Sequence, residues 1–337
     1  MAVTLHDVAR VAGVSIKTVS NVINDYPHIR PATKQRVEEA IAELGYTPNL
    51  TARNLRSGRT GAIALALPDL GLAYFAELAA SVIAEAEASG VSVLVEQTGA
   101  DPERERQLLR SPRLKLTDGL IFSPLGMGQE DAAALDVPYP MVLLGERIFG
   151  GPTDHVTMRN VEAARAATDF LLSSGRRRIA VVGAHEGEVI GSAALRLQGY
   201  REALEAAGIA YDEDLIGYTT FWHRANGALS MRELLARGVE FDAVFGLNDT
   251  LALGAMRALQ ESGRHVPDDV AVVGFDGLDE AEYSIPSLTT VDPGREWIAK
   301  TAVQTLLERI AGDAEAAPRT LLADFRILER ESAPAAR

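Results

Sequence analysis

The chain has no cysteine among its 337 residues, which excludes a disulfide framework and any thiolate metal site. Nothing therefore points to an oxidising compartment, and the cytoplasm is the expected location. The first residues, MAVTLHDVAR, are charged from the start and lack a basic segment followed by an apolar core, so no secretory leader is expected. No apolar run approaches the ~18 residues that a membrane span requires, and no membrane association is expected. Short-period repeats and low-complexity segments are also missing. So are a glycine-rich phosphate loop, a Gly-x-Ser-x-Gly elbow and a His-Glu-x-x-His pair. The six histidines, His6, His28, His155, His185, His223 and His265, are scattered without metal-ligand spacing. An enzyme with Asp249, Asp276 or His185 in acid-base roles is the first rival reading, and it finds little support. No cofactor and no metal are expected.

What the sequence does contain is 47% hydrophobic residues over a length suited to two or three domains. The net charge of −14 is unevenly distributed. Residues 1–60 hold eight basic and five acidic side chains, a net of +3, and the rest carries −17. A basic head is drawn to phosphate while an acidic body is repelled by it, which favours meeting a nucleic acid head first.

The head reads as short, punctuated helices. Thr4 with Asp7 three residues on forms a capping-box pair, and Val8, Val11 and Ala12 give the first helix an apolar stripe before Gly13 stops it. Ser15 suits the cap of a second helix reaching Asn24, with Val19, Val22 and Ile23 inward and Ile16, Lys17, Thr18, Ser20 and Asn21 more exposed. Pro31 suits the first turn of a third helix that buries Val37, Ile41 and Leu44 and ends at Gly45.

From Gly61 the pattern becomes apolar, strand-like runs alternating with amphipathic stretches. The runs cover 62–67, 91–96, 119–123, 140–144, 178–183, 243–247 and 270–275, with helical stretches at 74–89, 161–174 and 193–207 among them. This rhythm predicts parallel sheets with helices on both faces, and its length favours two doubly wound lobes over one.

The run from Thr4 to Asn24, followed by Leu44-Gly45-Tyr46-Thr47-Pro48-Asn49 and Ala52-Arg53-Asn54-Leu55, resembles the helix-turn-helix and hinge of the LacI/GalR family, and the resemblance extends through nearly the whole chain. It implies an α/β protein: an all-α helix-turn-helix head at 1–48, a hinge helix and linker at 49–60, and a periplasmic-binding-protein-like, doubly wound parallel-sheet body at 61–337. The body's lobes are expected at about 61–159 plus 292–320 and about 160–291 plus 321–332. The second helix then enters the major groove of a near-palindromic operator. Lys17 is suited to guanine, Asn21 to adenine and Ile16 to a thymine methyl, while Ser15, Thr18 and Ser20 are placed toward the backbone and register, and Thr4 and Asn24 are further expected DNA-binding residues. Leu55 is expected as a minor-groove wedge, with Arg53 and Arg56 near phosphates.

For the body, the resemblance implies a transcriptional regulator, a repressor of carbohydrate-utilisation genes, controlled by a small molecule in the inter-lobe cleft. A transport-type sugar-binding protein is the second rival; the DNA-reading head opposes it. Ligands of open α/β sheets bind beyond the carboxyl ends of the strands. By that rule and the resemblance, Asp69, Phe75, Ser123, Arg147, Arg196, Trp222, Asn248, Asp249 and Asp276 are the expected ligand residues. Carboxylates and arginines can hold vicinal hydroxyls, and Trp222 or Phe75 can stack on a pyranose. Leu72-Ala73-Tyr74-Phe75 departs from the family's Asn-Pro-Phe-Phe, and Met158-Arg159-Asn160 from its Asp-Asn. Arg159 there is expected to favour an acidic or phosphorylated ligand. No heptad tail follows residues 325–332, so a homodimer is expected.

Overall fold

The computed structural model describes residues 3–23, 26–46, 59–312 and 316–335. Two compact units are present, Met1–Thr60 and Gly61–Arg337.

In the first unit, helices α1 (Leu5–Ala12), α2 (Ile16–Ile23) and α3 (Pro31–Leu44) pack around Val8, Ala9, Ala12, Val19, Val22, Val37 and Ala40. The inward stripe of α1 is Val8, Ala9 and Ala12; Val11, expected inward, is 41% exposed. Gly13 ends α1 with φ +63° and its N–H donating to Ala9 O, a left-handed cap that costs little without a Cβ. Pro31 opens α3 and Gly45 closes it in the same left-handed conformation. Ile41 and Leu44, expected inside, are only partly buried against this core.

The second unit holds two six-stranded sheets. The first sheet has strand order β2-β1-β3-β4-β5-β11, formed by Ser92–Gln97, Ala62–Leu67, Leu120–Phe122, Met141–Leu144, Asp154–Met158 and Thr320–Ala323. All of its pairings are parallel. The second sheet runs β7-β6-β8-β9-β10-β12, formed by Ile216–Tyr218, Ile179–Ala184, Ala243–Gly246, Ala271–Phe275, Thr289–Asp292 and Arg326–Leu328. Only β12 runs antiparallel there, against β10. The central strands are continuous apolar runs because both faces are covered. In the second sheet, Val181, Phe245 and Val273 face α6 (Asn160–Ser173) and α7 (Ser192–Ala206), while Val182, Val244 and Val272 face α8 (Arg224–Ala236) and α9 (Asp249–Glu261). In the first, Leu65, Ile121 and Val142 pack with α4 (Ala73–Ala88) and α10 (Arg295–Ala311), and Ala66, Phe122 and Leu143 with α5 (Pro102–Leu109).

The chain crosses between lobes after β5, after β10 and after β11. The last crossing falls at 324–325 rather than at 320/321: β11 pairs with β5 in the first sheet and buries Ala323 in the first lobe's core. Asp154, 1% exposed on β5, fastens this region by accepting from Arg309 at 2.7 and 3.0 Å and from the Arg319 backbone at 2.8 Å. Desolvation alone would raise its pKa, but the two guanidiniums outweigh burial and hold it below the usual carboxylate range. Among the described residues no helix is long and apolar enough to cross a membrane.

Candidate functional site

In the head, Thr4 is occupied by the capping box. Its backbone N–H and its hydroxyl both donate to Asp7, at 3.0 and 2.7 Å, and Asp7 N–H donates back to the Thr4 hydroxyl at 3.4 Å. The Thr4 hydroxyl and backbone bonds, with the Arg10 ion pair, lower the Asp7 pKa. Ser15 caps α2, accepting from Thr18 N–H at 3.1 Å and lying 2.9 Å from the Thr18 hydroxyl. Lys17 and Ser15 are exposed, and Thr18, Ser20 and Asn21 half-buried. Ile16 is also half-buried and rests against the head's core, so its side chain serves packing as well as any outward contact. Asn24, Arg53, Leu55 and Arg56 lie outside the described residues.

In the body, a cavity of about 330 Å³ opens between the carboxyl ends of the two sheets, within the size range of small-molecule sites. Eight of the nine ligand candidates line it: Asp69, Phe75, Ser123 and Arg147 from the first lobe, and Arg196, Trp222, Asn248 and Asp276 from the second. Asp249 does not. It is wholly buried, accepting from the Thr290 hydroxyl and from Leu278 N–H at 2.8 Å. Desolvation and the nearby Asp276 push its pKa well up. Its place at the start of α9, one residue beyond Asn248, directs it to Thr290 and Leu278 rather than into the cavity.

Arg196 is the fixed centre of the second lobe's wall. The side chain, 3% exposed, stacks with its guanidinium carbon 3.6 Å from the Phe275 ring centroid and 5.3 Å from that of Trp222. It donates to Asn160 Oδ1 at 2.8 Å, to Leu247 O, and to Asp276 Oδ1 at 3.4 Å. Asp276 holds φ +117°, an unusual conformation for a side-chain-bearing residue. Desolvation pushes its carboxyl up to about 7, with Arg196 and Arg295 pulling it partly back. Trp222 is held by its indole N–H, which donates to Gly183 O at 2.9 Å. Asn248 caps α9 by accepting from Leu251 N–H at 2.8 Å, which leaves its amide NH2 as the polar group for the cavity.

Several lining residues were missed by sequence reasoning. Glu146, 6% exposed, accepts from the Thr157 hydroxyl at 3.1 Å and, across the cleft, from the Ser192 hydroxyl at 2.7 Å. It follows β4 directly before Arg147, so the strand-end rule that selected Arg147 would have found it. Tyr74, in the stretch that departs from the family pattern, also lines the cavity. Burial, with Glu146 and Asp276 nearby, raises its pKa. His185, whose Nδ1 lies 2.6 Å from Glu188 Oε2, and His223, 3.6 Å from Asp69, complete the polar rim. Arg159 is not part of the lining; it pairs with Asp324 at 3.3 Å and Glu162 at 3.8 Å beside the crossings, so the expected charge inversion toward acidic ligands does not arise.

Other contacts join the lobes around this cavity. Arg147 donates to Ile190 O at 2.8 Å. Glu77 on α4 accepts from Asp279 N–H at 3.3 Å, and Arg295, which pairs with Glu77 at 2.7 Å inside the first lobe, donates across the cleft to Asp276 O at 3.3 Å. The bonds from Arg147 to Ile190, from Asp279 to Glu77 and from Arg295 to Asp276 span the lobes and must change if the lobes rotate.

Residues 4–49 match the family described as bacterial regulatory proteins, lacI family, and residues 168–333 match the periplasmic binding protein-like domain. The chain is 37% identical over 342 residues, 98% of each sequence, to the HTH-type transcriptional regulator CelR of Thermobifida fusca. Among solved structures it is similar to the lac repressor dimer bound to operator and the anti-inducer ONPF, with TM-score 0.84 and 29% identity over 99% of this chain and 100% of that one. It is also similar to a transcriptional regulator CelR–cellobiose complex, with TM-score 0.72 and 34% identity over 98% of this chain and 99% of that one. Identity sustained through both the head and the body assigns the chain to the lacI family of bacterial regulatory proteins, and with it the role of a DNA-binding transcriptional regulator rather than an enzyme.

Proposed function

We propose that the protein is a cytoplasmic, homodimeric repressor that grips a near-palindromic operator through α2 and releases or tightens that grip when a small neutral saccharide occupies the inter-lobe cavity. The carrying observation is the composition of the cavity wall. Asp69, Glu146, Glu188 and Asp276 outnumber Arg147 and Arg196, and both arginines are already engaged within the protein. Such a lining disfavours an anionic or phosphorylated ligand. It suits hydroxyls, which carboxylates accept from and the fixed arginine donates to, while Trp222, Phe75 and Tyr74 supply apolar surface for the C–H face of a ring. The CelR–cellobiose complex, similar over nearly the whole chain, supports the same ligand class.

Coupling then follows from geometry. A ring wedged between Glu146 and Arg196 competes with the Ser192 to Glu146 bond that spans the lobes, so occupancy and lobe angle are linked. Residues 49–60 carry the result toward the head; for Leu55, Arg53 and Arg56 the proposal rests on the family membership. The test is a thermal-shift screen of sugars, sugar phosphates and nucleobases on the full chain. A neutral saccharide is expected to raise the melting temperature by mass action. Stabilisation by a sugar phosphate or nucleobase instead, with no response to any neutral sugar, would overturn the reading.

A further inference from the structure

A carboxylate that takes no part in the cavity's lining lies behind its first-lobe wall. Glu105, on α5, is wholly buried and does not reach the cavity. Burying a carboxylate is costly unless its oxygens are hydrogen-bonded. Here three consecutive backbone N–H groups donate to it, from Leu125 at 2.8 Å, Gly126 at 3.0 Å and Met127 at 2.6 Å. The buried Thr98 hydroxyl donates to it at 3.3 Å.

These bonds join two loops that face the cavity. After β2, Gln97, Gly99 and Ala100 line it; after β3, Ser123, Pro124 and Leu125 do. The first loop is tied to the end of β1, with Thr98 N–H donating to Leu67 O at 2.9 Å and Gly99 N–H to Pro68 O at 2.8 Å. It carries Ala100 at φ +55°. Among the described residues only Ala100 and Asp276 hold a positive φ without being glycine, and both line the cavity. Such strain persists only where the surrounding structure over-determines it. The two loops also touch, since a Cβ on Gly126 would stand 2.5 Å from Ala100 O. Helix α5 begins directly after the first loop, capped by Asp101, which accepts from Glu103 and Arg104 N–H at 2.9 Å each. One turn along, Glu105 reaches back to hold the second loop against the first.

We propose that Glu105 is a positioning residue for the effector: it touches no ligand but fixes, through both loops, the first lobe's face of the cavity. The proposal rests on the saccharide reading of that cavity. Glutamine at 105 keeps the side chain's shape but turns an NH2 toward the N–H groups, so at least one of them loses its acceptor. The test is calorimetric titration of the full chain with glucose, cellobiose, maltose and xylobiose, on the parent, Glu105→Gln, Thr98→Val and Gly119→Ala, with hydrogen exchange of the backbone amides. Thr98→Val removes only the longest of the bonds and decides the matter where Glu105→Gln does not fold. Gly119→Ala brings a Cβ 2.8 Å from Leu306 at the amino end of β3, and so weakens the same lobe away from the cavity. For a sugar that binds the parent, Glu105→Gln should bind about tenfold more weakly, as for a wall in its binding geometry in about a tenth of the molecules. Its amides at 125–127 should exchange faster. Thr98→Val should lose about two- to fivefold, one weak hydrogen bond. Gly119→Ala should melt lower yet bind within about twofold of the parent, as a distant site does. Variants at 105 and 98 that bind like the parent, or a Gly119→Ala protein that loses as much affinity, would overturn the positioning role and leave the saccharide assignment intact. If none of the sugars binds the parent, that assignment falls; exchange at 125–127 in Glu105→Gln then decides the anchoring, faster supporting it and unchanged overturning it.

Discussion

Replacing Arg196 with methionine separates the cavity wall from the fold that carries it. Methionine keeps an unbranched apolar stem against Phe275 and Trp222 but loses the bonds to Asn160, Leu247 O and Asp276. Hydrogen bonds with a charged donor contribute about 1.5–3 kcal/mol each, the 3.4 Å contact least. Breaking a buried pair by removing one partner costs about 3–5 kcal/mol because the remaining charge is stranded. Here Asp276 already titrates near 7 and can take up a proton once its cation is gone, so the lower half of that range is expected. At ~2 °C per kcal/mol for a unit of this size, the melting temperature should fall by about 6–8 °C. Saccharide binding should be lost. The double variant Arg196→Met/Asp276→Asn, which strands no charge, should melt above Arg196→Met. Chemical and thermal denaturation of the four proteins in the cycle, with titration of the stabilising sugar, measures all of this. Strictly additive losses, or an Arg196→Met protein that binds the sugar as before, would refute the reasoning.

Three other outcomes follow from the same structure. Lys17→Ala and Asn21→Ala should each weaken operator binding by about 1–3 kcal/mol if they read base edges and relax specificity at one position; a loss that is equal on operator and random DNA would identify mere phosphate contacts. Gly199→Ala places a Cβ 2.2 Å from Val161 O, where α7 crosses α6, and should cost at least the ~1–3 kcal/mol of ordinary overpacking, read as a lower denaturation midpoint. Asp276 has a folded-state pKa raised from 3.8 to about 7 by desolvation. Its contribution to stability is therefore full below about 4 and is lost as pH rises through about 7. Asp276→Asn removes that dependence, so the variant should gain on the parent in melting temperature between pH 5 and pH 8; a gap that is constant with pH would contradict it.

The sequence announced the elements whose chemistry is uniform. Strands buried on both faces, such as AIALAL at 62–67 and AVVGF at 271–275, are unbroken apolar runs, and the helix-turn-helix is marked by a capping box and two left-handed glycines. The strands at 154–158 and 289–292 did not show themselves, because Asp154, His155, Thr289 and Thr290 read as surface residues while partners distant in sequence satisfy them inside. The same blindness explains the site. Residues just past a recognised strand were found in most cases, as with Ser123, Arg147 and Asp276, although Glu146, next to Arg147 after β4, was passed over. Asp249 was misplaced because spacing cannot tell a cavity-facing carboxylate from one bonded to Thr290, 41 residues away. Arg159 was misread for a similar reason, since its partner Asp324 lies 165 residues on.

The claim that matters most is that the cleft governs the head. It is tested most directly by titrating operator DNA against the full chain at fixed salt, with and without a saccharide shown to stabilise it. Coupling of ~1–3 kcal/mol predicts a 5- to 150-fold change in operator affinity, abolished in Arg196→Met. A saccharide that stabilises the protein yet leaves operator affinity unchanged would contradict the account.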